Sequence, residues 1–151
     1  MSVEHIHHYR LIDARLGTGG QPTEAQVQQI AAAGYEGIIN LGLLDPKYCL
    51  PDEAGLAVKL GLAYRHLPVP FDAPTVEDFQ DFLAVMDSWR TKRIFVHCAA
   101  NYRVSSFLAL YGELHLGWTR VQADEHARSL WDPNQTWLRF LTACRMRWIG
   151  R

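Results

Sequence analysis

Hydrophobic and polar residues follow one another along the chain in a pattern that predicts alternating strands and helices. Short apolar runs, such as residues 37–41 (GIINL) and 93–98 (RIFVHC), are typical of buried strands. Between such runs, apolar residues recur every three to four positions, as at Phe79, Phe82 and Met86, which is the spacing of one helix face. This order predicts an α/β layer fold in which helices flank a mainly parallel central sheet.

Polar residues mark where the predicted helices begin. Thr23 and Thr75 are each followed three residues later by a Gln or Asp, which is the spacing of a capping box. Asp132 is predicted to cap the last helix, with Pro133 in its first turn. In chain order we expect strands at 9–13 and near residue 16, a helix over 23–33, a strand at 37–41, a helix over 51–61, a strand at 64–69, a helix from residue 75, a strand at 93–98, and helices over 104–117, 119–130 and 134–148.

Composition and charge limit the classes of protein that this chain resembles. At 151 residues, 48% of them hydrophobic, we expect residues 1–151 to form one domain with its own core. Because 15 basic residues balance 16 acidic ones, a general nucleic-acid binder is disfavoured. Apolar runs are much shorter than the roughly 18 residues of a membrane span. The start of the chain lacks a signal-peptide pattern and the three cysteines are widely spaced, so the expected location is the cytoplasm.

The segment VHCAANYRVSS carries the candidate chemistry. Cys98 ends a predicted strand shortly before a predicted helix, which places its thiol at the carboxyl end of the sheet, where α/β proteins bind ligands. Free amides at the start of a helix favour an anion and the thiolate form of a nearby cysteine. Arg103 adds a planar cation that suits two oxygens of a phosphate. The segment predicts a thiolate nucleophile beside an anion site, and the expected phosphate-binding residues are Ala99, Ala100, Asn101, Tyr102 and Arg103.

This segment resembles the signature loop of the protein tyrosine and dual-specificity phosphatases, in their small bacterial branch. His97 and Cys98, followed by Arg103 and Ser105, carry the resemblance, and it extends over GGQPTEAQVQQIAAAGYEGIINL, FDAPTVEDF and the helical tail around 131–137. The resemblance implies that Cys98 forms a phosphocysteine and that Arg103 binds the equatorial phosphate oxygens. It further implies that Ser105 hydrogen-bonds the thiolate and that His97 orients the loop.

The resemblance also implies a reaction and a general acid. The expected reaction is hydrolysis of phosphomonoesters, with phosphotyrosine among the candidates, on a phosphorylated protein or a small phosphomonoester, with no metal and no cofactor. Asp72, in the segment FDAPTVEDF, matches the acid that protonates the leaving oxygen and then activates water. Asp45 and Asp78 are the substitutes, because a general acid only has to reach the leaving group.

The spacing inside the loop departs from the phosphatase signature. That signature has five residues between cysteine and arginine, whereas four separate Cys98 from Arg103. Either the loop is one residue shorter and Arg103 faces the anion, or the loop keeps its length and Val104 replaces the arginine. We expect the first register. Asn101 stands where glycine is common, and asparagine tolerates a left-handed backbone better than most residues.

Two alternative functions remain at this stage. Four intervening residues also resemble the rhodanese sulfurtransferases, which carry sulfur on the cysteine. The His before the cysteine, the Ser after the arginine and the FDAP and GQPT segments disfavour that interpretation. A catalytically silent module that binds phosphorylated partners is the other alternative, and enzymatic turnover that depends on Cys98 would distinguish it.

The remaining candidate residues are interpreted as structural or solvated. Cys49 and Cys144 lack a paired spacing with any other cysteine, so we expect structural thiols. His5, His7 and His8 lie near a polar chain end without a set of metal-ligand partners, so we expect them to be solvated. The tryptophans of the helical tail are predicted to be packing aromatics rather than a base-stacking platform.

Overall fold

A five-stranded sheet forms the centre of the fold, and the computed structural model describes residues 2–150. The strands are β1 (Arg10–Leu11), β2 (Leu16–Gly19), β3 (Gly37–Asn40), β4 (Ala63–His66) and β5 (Ile94–His97). Their order is β1-β2-β5-β3-β4, and every neighbouring pair is parallel except β1 with β2. The predicted α/β fold with a mainly parallel sheet is confirmed. β5 lies between β2 and β3, so the loops that follow these two strands flank its carboxyl end.

Six α-helices flank this sheet, after a short 3₁₀ turn at Val3–His5. They are α1 (Glu24–Ala32), α2 (Glu53–Lys59), α3 (Val76–Ser88), α4 (Tyr102–His115), α5 (Arg120–Ala127) and α6 (Gln135–Trp148). Capping boxes at Thr23 and Thr75 open α1 and α3, as the sequence predicted. None of the helices within residues 2–150 is long and apolar enough to cross a membrane.

Side chains that alternate along the strands enter two separate cores. Ile39 and Val96 pack with residues of α3, α4 and α6, whereas Ile38 and Phe95 pack with residues of α1 and α2. Helix α4 is buried from Arg103 through Gly112, which agrees with its apolar sequence. The sheet is therefore covered on both faces, and only its edges and strand ends remain for a site.

Several predicted boundaries were wrong: β1, α2 and α5 are shorter than expected, and the start of α4, the end of β4 and the cap of α6 also differ. Helix α4 begins at Tyr102 rather than at residue 104, because the chain already turns into the helix at Asn101. Strand β4 ends at His66 rather than at 69, although the amides of Leu67 and Val69 still donate to carbonyls at the end of β3 and just beyond it. Asn134, not Asp132, caps α6: its extended backbone brings the side-chain oxygen 3.0 Å from the amide of Trp137.

Candidate active site

The loop that carries Cys98 connects the central strand to the most buried helix. Cys98 directly follows β5, and only 1% of its surface is exposed. Asn101 precedes α4 with φ 68° and ψ 7°, the left-handed conformation that the sequence analysis expected asparagine to tolerate. Gly42, in the loop after β3, lies beside the Cys98 loop, and a Cβ there would be in ordinary contact with the Cα of Cys98 at 3.6 Å. The thiol thus sits in a tight turn between a strand end and a helix start.

The carbonyl groups of three consecutive loop residues are contacted by groups outside the loop. The Cys98 carbonyl lies 3.3 Å from Nδ1 of His97, and the Ala99 carbonyl accepts from the amide of Gln21 at 3.0 Å. The Ala100 carbonyl accepts from Nδ1 of His8 at 2.8 Å. In a trans peptide the N–H points opposite to the C=O. The amides that follow these carbonyls are therefore turned away from His97, Gln21 and His8.

The amides of the loop form a run of free donors. Within residues 2–150, the backbone N–H groups of residues 99–104 have no protein acceptor, and the first helical hydrogen bond runs from Ser105 to the Asn101 carbonyl. Unpaired amides at a helix start carry partial positive charge and bind anions. The backbone beside Cys98 therefore has the chemistry of an oxyanion site.

The side chain of Asn101 fastens this loop to two other segments. Its Nδ2 donates to the His8 carbonyl at 2.8 Å and to Oγ1 of Thr18 at 3.2 Å. The residue is 0% exposed. Glycine would allow the same backbone but would supply neither bond, so asparagine compensates for its less favourable left-handed conformation.

Ser105 has a different partner from the one that the family resemblance implies. Its hydroxyl donates to the carbonyl of Asn101 one turn earlier. A hydroxyl has a single proton, so in this arrangement Ser105 does not donate to the Cys98 thiol. Ser105 is fully buried and fastens the start of α4.

Arg103 is a buried cation in the first turn of α4. It is 7% exposed, its Nη1 donates to the Val69 carbonyl at 2.9 Å, and its guanidinium carbon lies 5.7 Å from the centre of the Phe71 ring. Among the described residues, no carboxylate pairs with it. The neighbouring Val104 is 0% exposed and belongs to the hydrophobic core.

The candidate acids lie in three different environments. Asp72 is exposed in the turn from Pro70 to Ala73 and directly follows Phe71, whose ring faces the guanidinium of Arg103. The two substitute acids take part in local backbone bonds. Asp78 accepts from the amide of Thr75 at 2.9 Å, and Asp45 accepts from the amide of Lys47 at 3.0 Å. The structure leaves Asp72 as the candidate acid without such a bond among the described residues.

The expectation that the early histidines are solvated was wrong for one of them, His8, whereas His7 is exposed. His5 is exposed, but the ring of His8 is half-buried and bonds to Ala100. The rings of His7 and His8 stack at 3.8 Å, and the carbonyl of His7 accepts from the amide of Gly20 at 2.7 Å. The segment is ordered because the apolar side chain of Ile6, 2% exposed, anchors it in the core.

Aromatic rings line the outer side of the loop. Tyr102 stacks on Trp131 with centroids 4.7 Å apart and on His8 at 5.9 Å. The ring centroids of Phe71 and Trp131 lie 5.4 Å apart, and the Phe71 carbonyl accepts a hydrogen bond from Nε1 of Trp137 at 2.9 Å. The tail tryptophans thus pack against the fold, and they connect the Asp72 turn to the Cys98 loop.

Glu53 is a buried site residue that the sequence analysis missed. It lies in the first turn of α2, is 5% exposed, and its Oε2 is 2.5 Å from Nε2 of His97. Its Oε1 accepts from Nε2 of Gln21 at 2.8 Å. Burial raises the pKa of Glu53, but its bonds to His97, Gln21 and Tyr64 outweigh that effect and hold the pKa below its usual value. Acids are common in the first turn of helices, so nothing in the sequence distinguishes Glu53 for this role.

The other two cysteines are free thiols outside the Cys98 loop. Cys49 is half-buried and Cys144 is buried, both as free thiols, and burial raises the pKa of Cys144 to about 12. In residues 2–150, no group of three or more His, Cys, Asp or Glu side chains is placed to hold a metal ion.

Comparison with known families and structures gives consistent matches. The family model described as "DSP-PTPase phosphatase fused to NAD+ kinase" matches residues 4–138. No protein with a curated description matches the chain. A DUF442 protein of Shewanella putrefaciens CN-32, provisionally described as a phosphatase, is 31% identical, with a TM-score of 0.86 over 97% of this chain and 96% of that one.

More distant structures share the fold. Tk-PTP in its active form is 20% identical, with a TM-score of 0.80 over 92% of this chain and 97% of that one. PTPMT1 in complex with PI(5)P is 18% identical, with a TM-score of 0.78 over 95% of this chain and 97% of that one. These two likenesses concern the fold of the chain.

Proposed function

Because the chain belongs to the DSP-PTPase phosphatase family, we propose that it is a cysteine-dependent phosphatase that hydrolyses phosphomonoesters through a phosphocysteine on Cys98. The observation that carries the proposal is the loop of residues 98–104. Its carbonyls are bonded to outside groups, its amides lack protein acceptors among the described residues, and a buried arginine follows. Amides and a cation around a thiol form an environment for a phosphate group and for a thiolate.

The charge of Arg103 supports an anionic ligand. A buried cation that lacks an acidic partner costs several kcal/mol of desolvation, about as much as a good counter-ion would offset. Only Nη1 is bonded among the described residues, so the edge formed by Nε and Nη2 keeps two parallel N–H groups. That edge fits two oxygens of a phosphate.

Val104 packs in the hydrophobic core, which favours the register in which Arg103, and not residue 104, faces the anion.

The proposed reaction has two steps. The Cys98 thiolate attacks phosphorus, an S–P bond forms, and the bond from phosphorus to the leaving oxygen breaks as Asp72 protonates that oxygen. The Asp72 carboxylate then takes a proton from water, whose oxygen attacks phosphorus and breaks the S–P bond. Inorganic phosphate and the thiolate are released. The loop amides and Arg103 stabilise the charge that develops on the phosphoryl oxygens.

The proposed substrate class is broad: a phosphorylated protein or a small phosphomonoester. The half-buried rings of Phe71, Tyr102 and Trp131 near Arg103 make an aryl phosphate a suitable test substrate, because aromatic rings pack well on one another.

One observation favours a second candidate function, that of a sulfurtransferase. The four-residue spacing from Cys98 to Arg103 is also that of the rhodanese resemblance, and a persulfide on Cys98 after incubation with thiosulfate would support that function.

The test compares two cysteine variants of the purified chain, with metal chelated. Cys98→Ser should reduce aryl phosphate turnover to background, because a serine hydroxyl supplies no thiolate. Cys144→Ser, which makes the same atomic change at another buried site, should keep the wild-type rate. Turnover that persists in Cys98→Ser, or a wild-type chain that binds phosphate without turnover, would exclude the proposed function.

A further inference from the structure

We propose that Glu53 is a positioning residue of the Cys98 loop and acts through Gln21 and His97 to keep the loop amides directed at the anion. This inference rests on the proposed function, since it assigns a purpose to the loop. It concerns residues of α2 and of the β2–α1 connection, which lie far from Cys98 in the sequence. Glu53 contacts neither of the groups proposed to react, so its effect has to pass through its two neighbours.

The first connection runs through Gln21 to the carbonyl of Ala99. Glu53 Oε1 accepts from the side chain of Gln21 at 2.8 Å, and the backbone amide of Gln21 donates to Ala99 at 3.0 Å. Gly20 allows this close approach, because a Cβ there would lie only 2.6 Å from the Ala99 carbonyl oxygen. The carboxylate thus fixes the residue that orients the peptide between Ala99 and Ala100.

The second connection runs through His97 to the carbonyl of Cys98. Nε2 of His97 is 2.5 Å from Glu53 Oε2, and Nδ1 is 3.3 Å from the Cys98 carbonyl. The Glu53 carboxylate and the Cys98 carbonyl therefore lie against the two ring nitrogens of His97, and these two contacts fix the orientation of the ring. His97 then orients the peptide that links Cys98 to Ala99.

A carboxylate fits this position better than other side chains of similar size. It offers acceptors only, and the groups that face it are donors: His97 from β5, Gln21 from the connection before α1, and Tyr64 from β4. Without it, Nε2 of the buried His97 would be left unpaired, which proteins avoid, and Nε2 of Gln21 would keep only its bond to the Pro22 carbonyl. The lowered pKa of Glu53 agrees with a carboxylate that stays ionised at neutral pH.

The structural alternative is that Glu53 merely stabilises α2. Asp52 provides the matched control, because it caps the same helix through a 3.0 Å bond to the amide of Gly55. Asp52→Ala should lower the melting temperature without changing the loop, since none of its side-chain bonds reaches Gln21 or His97. Glu53→Ala removes the bonds to both.

The experiment measures phosphate affinity by calorimetry, alkylation of Cys98 by iodoacetate, and kcat and KM for an aryl phosphate. Glu53→Ala should weaken phosphate binding and slow alkylation, and should lower kcat/KM by about 100-fold, the scale of a misplaced reacting geometry. Glu53→Gln keeps an acceptor for Gln21 and should give an intermediate loss, so it carries the test if Glu53→Ala does not fold. Asp52→Ala should keep the wild-type phosphate affinity.

The outcomes separate this inference from the proposed function. If Glu53→Ala and Glu53→Gln bind phosphate like the wild type, or if Asp52→Ala loses as much affinity as Glu53→Ala, the positioning role is wrong. If the wild type binds phosphate but turns over no substrate, the phosphatase proposal fails, and the affinity comparison still decides the role of Glu53. A wild type that binds no phosphate would overturn both.

Discussion

The loop of Cys98 and the turn of Asp72 lie close to the same arginine but are held very differently. The carbonyls of the Cys98 loop are contacted by His8, Gln21 and His97, and Asn101 of the loop donates to the His8 carbonyl and to Thr18. Among the described residues, the backbone of the Asp72 turn has two hydrogen bonds, from the Ala73 amide to the Pro70 carbonyl at 3.2 Å and from Nε1 of Trp137 to the Phe71 carbonyl at 2.9 Å, and Asp72 is exposed.

This difference matches the two tasks of the proposed mechanism, which are phosphate binding and proton transfer. Binding a phosphate requires several donors at fixed positions, and fixed donors need no rearrangement when charge develops. A general acid needs only to reach one oxygen of a leaving group that varies between substrates. In the proposed mechanism, hydrogen bonds hold the Cys98 loop in place, and the candidate acid Asp72 lies on a surface turn.

After a change of Cys98 itself, the largest expected loss of activity comes from changing Asp72 in the exposed turn. Asp72→Asn should lower kcat by about 10²–10⁴-fold for a phosphate ester with a poor leaving group, the usual contribution of a positioned proton donor. The loss should shrink for an aryl ester with a good leaving group, which needs little protonation. Steady-state kinetics across a series of leaving groups measures this.

Asp78→Asn is the control for that series. Its side chain can still accept from the amide of Thr75, so the cap of α3 and the activity should both persist. Equal losses for good and poor leaving groups in Asp72→Asn would show that Asp72 shapes its turn and transfers no proton.

The next largest expected loss comes from changing Arg103, the arginine close to both regions. Arg103→Lys should weaken phosphate binding and lower kcat/KM by about 10–100-fold, because an ammonium cannot replace a two-pronged charge-assisted contact worth about 1.5–3 kcal/mol. Arg139→Lys, an exposed change on α6, should have no effect. Unchanged phosphate affinity in Arg103→Lys would place the guanidinium outside the anion site.

The smallest expected loss comes from removing one hydrogen bond that holds the Cys98 loop, that of His8. His8→Ala removes the donor to the Ala100 carbonyl and should lower kcat/KM by about 3–10-fold, in line with the net contribution of a single hydrogen bond. His5→Ala, at an exposed position in the same segment, should be silent. Equal activity of the two variants would mean that the early histidines leave the loop geometry unaffected.

The fold and the reactive loop could be predicted because their signals are local. The apolar runs indicate the parallel strands, Thr23 and Thr75 open their helices, and Asn101 indicates a left-handed turn. Each of these depends on a few residues that are neighbours in sequence. The assignment of Asp72 as the acid stays a prediction, as does the role of Arg103 toward an anion.

The supports of the loop could not be predicted because they come from distant parts of the chain. Glu53 meets His97 across 44 residues and His8 meets Ala100 across 92. Nothing around Glu53 distinguishes it from an ordinary first-turn acid, and a histidine-rich chain start has the composition of a solvated segment. Ser105 was given a partner by resemblance, whereas its hydroxyl bonds one turn back within its own helix.

We propose that the loop of residues 98–104 and Arg103 together hold an oxyanion over the Cys98 thiol. A crystal structure of the chain with bound phosphate or sulfate is the decisive test. We expect the anion beside Sγ of Cys98, with its oxygens bonded to the loop amides and to Nε and Nη2 of Arg103. An anion bound elsewhere, with Arg103 contacting only the Val69 carbonyl and the loop amides unoccupied, would show that this loop is not the anion site.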